Sequence, residues 1–205
     1  MRKHHPVLIT LITLVGLSLV FFSCGKNDAQ GAGSSKAPSF KQENTKESLI
    51  ALLKKIQDLQ KAGKNEQAGA LSRGLLPSTK ARLIKALRTG APEDKVKNMV
   101  AMHAAFASAP DAKLAGLLRS KPDQTEIQAH CATTAQIAAN KPGTIVFKEF
   151  PGGAVSLAKD ILKPGLNFCE VEFVKPGEER GMKYHLFFWD GYAWTMLGPM
   201  WRAMR

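Results

Sequence analysis

The sequence lacks the motifs by which many enzymes and metalloproteins are recognised. Its 205 residues include only three cysteines and five histidines, and no pair of either type has the spacing of a metal site. No phosphate-binding loop or dinucleotide fingerprint is present, and no serine lies in a nucleophile elbow. We therefore expect no cofactor and no metal, and the sequence favours a non-catalytic protein.

A hydrophobic run of comfortable membrane-spanning length is also missing, since such a span needs about 20 residues. The apolar run from Val7 to Phe22 has 16 residues and follows a positive head containing Arg2 and Lys3. That length and order are typical of a signal peptide. Residues 1–23 are therefore predicted to be a signal peptide.

The residues after this run resemble the lipobox of bacterial lipoproteins, because the small residue Ser23 directly precedes Cys24. The resemblance implies that Cys24 is acylated with palmitate-type chains and becomes the N-terminus of a membrane-anchored envelope protein. Gly25 then indicates outer-membrane sorting if the cell has two membranes. An ordinary secretory signal and an uncleaved anchor are the alternatives. Residues 24–43 are rich in small and polar residues, which predicts a flexible lipidated tether.

Acidic residues are scarce, with 17 Asp and Glu against 29 Lys and Arg, for a net charge of +12. The imbalance is concentrated in residues 41–90, where eleven basic residues face four acidic ones, a net charge of +7. Such a region would attract an anionic envelope surface, whereas export argues against a nucleic-acid partner. A merely solvated, soluble surface is the alternative.

Apolar periodicity predicts helices throughout residues 44–122. The expected starts are Asn44, Asn65, Ser78, Pro92 and Pro110. From residue 123 onwards the pattern changes to alternation. Predicted elements there are a strand from Glu126 to Cys131, a helix capped by Thr133 or Thr134 and ending at Asn140, a strand from Thr144 to Phe150, a helix from Ala154 to Leu162 and a strand from Asn167 to Val174. Residues 126–131 also fit a helix entered at Asp123.

The chain ends in a predicted β-hairpin. Asp190-Gly191 separates two apolar runs and fits a two-residue type I′ turn. Helices followed by strands indicate an α+β fold: a helical region, then a small twisted, mainly antiparallel sheet in residues 123–205, packed as one globular unit. The final hairpin, with Asp190-Gly191 and Trp194, is similar to that of nuclear-transport-factor-like α+β domains. That resemblance covers about 20 residues and implies no functional residues.

A two-residue turn pairs Trp189 with Tyr192 and neighbouring residues accordingly. One face of the hairpin would then carry an aromatic set, consisting of His185, Phe187, Trp189, Tyr192, Trp194 and Met196. This candidate aromatic face is either covered by helices or lines a groove for a sugar, lipid or peptide ligand.

The remaining candidate residues have structural interpretations beside their chemical ones. Cys131 and Cys169 lie on the apolar sides of predicted strands, and are either a disulfide or two buried thiols. His103 lies on an apolar helix stripe and is expected to be a core histidine. Glu170 and Glu172 share one strand face, which predicts a solvated face or, in an exported hydrolase, a carboxylate pair.

Overall fold

The structure is a computed structural model that describes residues 40–204. The predicted signal peptide, Cys24 and most of the predicted tether lie outside the described residues. Five helices come first in the described part of the chain: α1 Lys46–Lys61, α2 Asn65–Leu75, α3 Lys80–Ile84, α4 Glu93–Ala107 and α5 Asp111–Leu114. These helices correspond to the five that the sequence predicts in residues 44–122.

The N-termini of α1 and α3 depend on threonine caps one residue beyond the predicted starts. The Thr45 hydroxyl accepts the N–H of Ser48, and the Thr79 hydroxyl accepts the N–H of Arg82. Each hydroxyl satisfies an amide that has no partner within its own helix. Each helix is therefore capped by the residue that follows the predicted start, Thr45 instead of Asn44 and Thr79 instead of Ser78.

A four-stranded antiparallel sheet and three further helices complete the fold. The strands are β1 Glu126–Thr133, β2 Asn167–Val174, β3 Met182–Trp189 and β4 Trp194–Met196, in the order β1-β2-β3-β4. Between β1 and β2 lie α6 Thr134–Ala139, α7 Ile145–Glu149 and α8 Gly152–Asp160, and a 3-10 helix, Met200–Met204, follows β4. The α+β prediction is confirmed.

Residues 126–131 are part of strand β1, which is followed directly by α6. Thr133 caps α6 through the N–H of Gln136, whose side chain in turn accepts the Thr133 N–H at 2.8 Å. This reciprocal capping box ends the strand and begins the helix within two residues. The strand interpretation and the predicted short helix are both confirmed.

The predicted strand from Thr144 to Phe150 is wrong, because these residues form the short helix α7. Thr144 caps it by accepting the N–H of Phe147. The buried positions are Val146, Glu149 and Phe150, which share one face of a helix and could not share one face of a strand. The β-branched content favoured a strand, but the cap and the buried spacing are helical.

The terminal hairpin has a four-residue connection, and the predicted two-residue turn is wrong. Trp189 pairs with Trp194 and Phe187 pairs with Met196, a shift of two residues from the predicted register. Because side chains alternate with a period of two, this shift preserves the face on which these residues lie.

Each face of the sheet is covered by its own hydrophobic cluster. The first cluster joins α1, α2 and the region of α5 to Val171, Phe173 and Phe187. The second joins α6, α7, α8 and part of α4 to Phe168, Leu186 and Phe188. Ile84 of α3 and Phe106 of α4 lie outside both clusters and are exposed.

Candidate functional site

Most of the candidate aromatic face is core. Phe187, Trp194 and Met196 are buried in the first cluster, and the partly buried Trp189 packs edge-on against Trp194 with ring centroids 5.9 Å apart. The Trp194 indole N–H donates to the Glu43 carbonyl at 3.0 Å. These side chains are therefore covered by the body of the protein and do not line an open groove.

His185 does not belong to that face. The pairing of β2 with β3 is irregular between Cys169 and Val171, and Leu186 has a positive φ of 57°. An extra residue in one strand reverses the side-chain alternation. Tyr184 consequently takes the place predicted for His185 and packs against the first cluster. The ring of His185 instead lies 5.1 Å from that of Trp201, which packs against the second cluster.

Tyr192 also lies outside the predicted face. It is in the hairpin connection, and 86% of its surface is exposed. The four-residue connection is stabilised by Asp190, whose Oδ1 accepts the N–H groups of Tyr192 and Ala193, both at 2.9 Å. The side chain of Asp190 thus performs the role that the sequence assigned to a tight backbone turn.

The other carboxylate oxygen of Asp190 receives Arg82 from α3. Arg82 Nε donates to Asp190 Oδ2 at 2.6 Å, and the guanidinium also donates to the carbonyls of Gly74 and Leu76. Burial opposes ionisation of Asp190, but hydrogen bonds from Ala193 and Arg82 outweigh it and hold the pKa below its usual value. Sequence reasoning missed this pair; a lone acid at a predicted turn was its only local signal.

The second face of the sheet holds an ionic cluster, made of the buried Glu149, Glu170 and Glu172 and the half-buried Lys183 and His185. Glu170 has no exposed surface, and its Oε2 lies 2.5 Å from His185 Nδ1. Burial raises the pKa of Glu170, an effect that the hydrogen bond with His185 opposes. The sequence predicted a solvated face for Glu170 and Glu172, and this prediction is wrong because both are buried, Glu170 against His185 and Glu172 against Lys183.

Lys183 forms ion pairs with the remaining two carboxylates of this ionic cluster. Its Nζ lies 2.8 Å from Glu149 Oε2 and 3.1 Å from Glu172 Oε2. Burial would lower the pKa of Lys183, but the hydrogen bonds to both glutamates raise it above its ordinary value. Burial likewise opposes ionisation of Glu149, and Lys183 reverses that effect and lowers its pKa. The three glutamates thus have cationic or imidazole partners.

Cys131 and Cys169 are opposite each other on β1 and β2 and form a disulfide with an S–S distance of 2.04 Å. The structure therefore contains the disulfide rather than two buried thiols. The bond links residues 38 apart in sequence, and a loop of this length contributes roughly 3–4 kcal/mol to the free energy of unfolding.

His103 is buried in α4, as the sequence predicts. The Leu197 backbone lies near the ring, but neither ring nitrogen makes a hydrogen bond of normal geometry within the described residues. Burial lowers the pKa of His103 to about 4, against the opposing effect of Leu197. The ring is therefore neutral in the folded protein at neutral pH.

The low pKa of His103 predicts acid destabilisation. An unfolded histidine binds its proton near pH 6.5, whereas the folded chain resists protonation down to about pH 4. This histidine's contribution to stability is therefore full above about pH 6.5 and is lost as the pH falls to about 4, a change of about 3 kcal/mol. Urea unfolding of wild type and His103→Leu at about pH 7 and about pH 4.5 measures it. If wild type and His103→Leu lost the same free energy of unfolding between the two pH values, the low pKa of His103 would be contradicted.

Two open grooves on the surface are candidates for ligand contact. One, of about 530 Å³, lies beside Trp201, Ser156 and Asp160. Trp201 reaches it by packing on Gly153, where any Cβ would lie 2.2 Å from the indole ring. The other, of about 400 Å³, lies between α1 and residues 112–122 and is lined by the cations Lys61, Arg119 and Lys121.

None of the helices in residues 40–204 combines the length and apolar character that crossing a membrane requires. In the same part of the chain, no three His, Cys, Asp or Glu side chains are grouped so as to hold a metal ion. The chain matches no family model, no curated protein and no solved structure. The resemblances to bacterial lipoproteins and to nuclear-transport-factor-like domains stay predictions from the sequence.

Proposed function

We propose that this protein is exported and anchored in the bacterial cell envelope by acyl chains on Cys24, at the outer membrane where the cell has two. Its folded body acts by binding other envelope components. The observation that carries the proposal is the Cys131–Cys169 disulfide, because structural disulfides form and persist in oxidising compartments such as the periplasm. This agrees with the signal-like residues 1–23 and the lipobox-like Ser23-Cys24.

The anchor is tested by metabolic labelling with palmitate. Wild type is expected to incorporate label and Cys24→Ala to incorporate none, because the acyl chains would be attached at this residue. Two or three chains contribute about 0.8 kcal/mol per buried methylene, which makes attachment to a membrane stable. Cys131→Ala and Cys169→Ala together make the matched control and should label as wild type does. Equal labelling of wild type and Cys24→Ala would refute the anchor.

A binding role is supported by the way the buried charges are used. Glu149 and Glu172 are bonded to Lys183, and Glu170 to His185, so these groups hold strands and a helix together. The two open grooves, by contrast, present side chains at the surface. Surface contact through a groove therefore fits this body better than chemistry at the ionic cluster.

An exported hydrolase is the second candidate, and the Glu170–His185 pair is the observation that favours it. A buried carboxylate at Nδ1 orients an imidazole and leaves Nε2 as a general base. The test is hydrolysis of p-nitrophenyl acetate by wild type and His185→Gln, with circular dichroism to verify folding. The binding proposal predicts equal rates for both proteins. A rate that collapses in a folded His185→Gln would favour the hydrolase.

A further inference from the structure

The groove between α1 and residues 112–122 has walls that are held together by two glutamines. Gln57, which is buried, donates through Nε2 to Ser120 Oγ at 2.8 Å and to the Gln124 carbonyl at 2.7 Å. One turn further along α1, Gln60 donates to the carbonyls of Ala115 and Leu118. These bonds fix the loop against the helix, so the groove has a defined shape.

The backbone that carries two of the cations lining this groove is held by side-chain hydrogen bonds. The Tyr184 hydroxyl donates to the Arg119 carbonyl at 2.7 Å, and the Lys121 N–H donates to Gln124 Oε1 at 2.9 Å. Arg119 Nη2 would lie only 3.8 Å from a Cβ built on Gly116, so the guanidinium lies over a glycine that also lines the groove. Lys61 adds a third cation from the end of α1.

The groove carries charge of one sign. No Asp or Glu lines it, and the side chains of Lys61, Arg119 and Lys121 form no ion pair within residues 40–204. The acid nearest along α1, Asp58, pairs with Lys54 instead. A concave site lined by one sign concentrates counter-ions, and the planar fork of arginine matches the oxygens of a phosphate group.

We propose that this groove binds the phosphate of an anionic phospholipid headgroup at the membrane that carries the protein. The choice of lipid rests on the proposed anchor at Cys24. Residues 40–43 of the predicted tether belong to the folded body, where Gln42 and Glu43 accept hydrogen bonds from Trp194. A flexible chain of roughly 16 residues, the length that remains for the tether, has a root-mean-square length of roughly 22 Å. Headgroup phosphates are then the phosphates at the highest local concentration around the groove.

The test uses vesicles and the chain from residue 24 onwards carrying Cys24→Ala, so that no acyl chain contributes. Both core clusters lie within residues 40–204, so this form retains its whole core. Co-sedimentation with vesicles of phosphatidylglycerol and phosphatidylcholine is compared with co-sedimentation with phosphatidylcholine alone. We expect binding to the anionic vesicles only.

Two triple variants of equal charge separate the groove from the general basic surface. Lys61→Gln, Arg119→Gln and Lys121→Gln together should weaken vesicle binding roughly 100-fold, since each cation near an anionic surface contributes about fivefold. Lys55→Gln, Lys85→Gln and Lys97→Gln remove the same charge from exposed positions outside the groove and should weaken it less than about threefold. Circular dichroism verifies that both variants fold.

Equal losses in the two variants would overturn the proposal, because the attraction would then be non-specific. Absence of binding to the anionic vesicles would overturn it as well. Release from the vesicles by inorganic phosphate at about 1 mM and constant ionic strength would assign the groove to free phosphate rather than to a headgroup. None of these outcomes bears on the anchor, which the palmitate experiment tests separately.

Discussion

Replacing Trp194 with alanine is expected to lower the free energy of unfolding by about 3–5 kcal/mol. Only 3% of Trp194 is exposed, and its ring packs against Trp189 within the first cluster. Truncation removes that contact, leaves a cavity and deprives the Glu43 carbonyl of its indole donor. Urea unfolding followed by circular dichroism measures the loss.

Tyr192→Ala is the matched control for Trp194→Ala, because Tyr192 is an aromatic residue only two positions away and is exposed. It should change the free energy of unfolding by less than about 0.5 kcal/mol. Trp194→Phe keeps most of the ring volume and should fall between the two. A Trp194→Ala protein within about 1 kcal/mol of wild type would show that the aromatic face is not core and would restore it as a candidate ligand groove.

Arg82→Ala is expected to cost about 3–5 kcal/mol, because it leaves the carboxylate of Asp190 buried without its charged partner. The side chain of Asp190 is only 2% exposed, and Arg82 also satisfies the carbonyls of Gly74 and Leu76. The destabilisation caused by Arg82→Ala should be smaller in acid. The pKa of Asp190 is held below its ordinary value of 3.8, so the ion pair stabilises the fold fully above that pH. This stabilisation disappears as the pH falls through the lowered pKa.

The control for Arg82 is Lys148→Ala, which breaks an exposed ion pair with Glu179 and should cost less than about 1 kcal/mol. A double-mutant cycle with Asp190→Ala isolates the pair from the other hydrogen bonds of Arg82. A coupling energy near zero would mean that Arg82 stabilises the hairpin only through Gly74 and Leu76.

At the hairpin and in the ionic cluster, ion pairs join elements that are distant in sequence. Arg82 and Asp190 are 108 residues apart in sequence and join α3 to the connection between β3 and β4. Lys183 joins β3 to β2 and to α7 through Glu172 and Glu149. The cations of the basic groove, by contrast, have no acidic partner within the described residues.

Local features of this protein could be read from its sequence. The Thr133–Gln136 capping box and the alternation of Cys169, Val171 and Phe173 depend only on residues within a few positions of one another. Periodicity and caps act over one or two turns of chain, so they are visible without knowledge of the fold. For the same reason the helical first half, the α+β order and the buried position of His103 were predictable.

Only the tertiary structure decided the register of the hairpin, the bulge at Leu186 and the burial of Glu170 and Glu172. The hairpin connection depends on Arg82 from a distant helix, and the bulge moves His185 from the aromatic face to Glu170. A glutamate at alternating positions of a strand looks the same in sequence whether its carboxylate is hydrated by water or paired with a lysine. Its burial is favourable only where the fold brings Lys183 or His185 within hydrogen-bonding distance, because an unpaired charge in the core costs several kcal/mol.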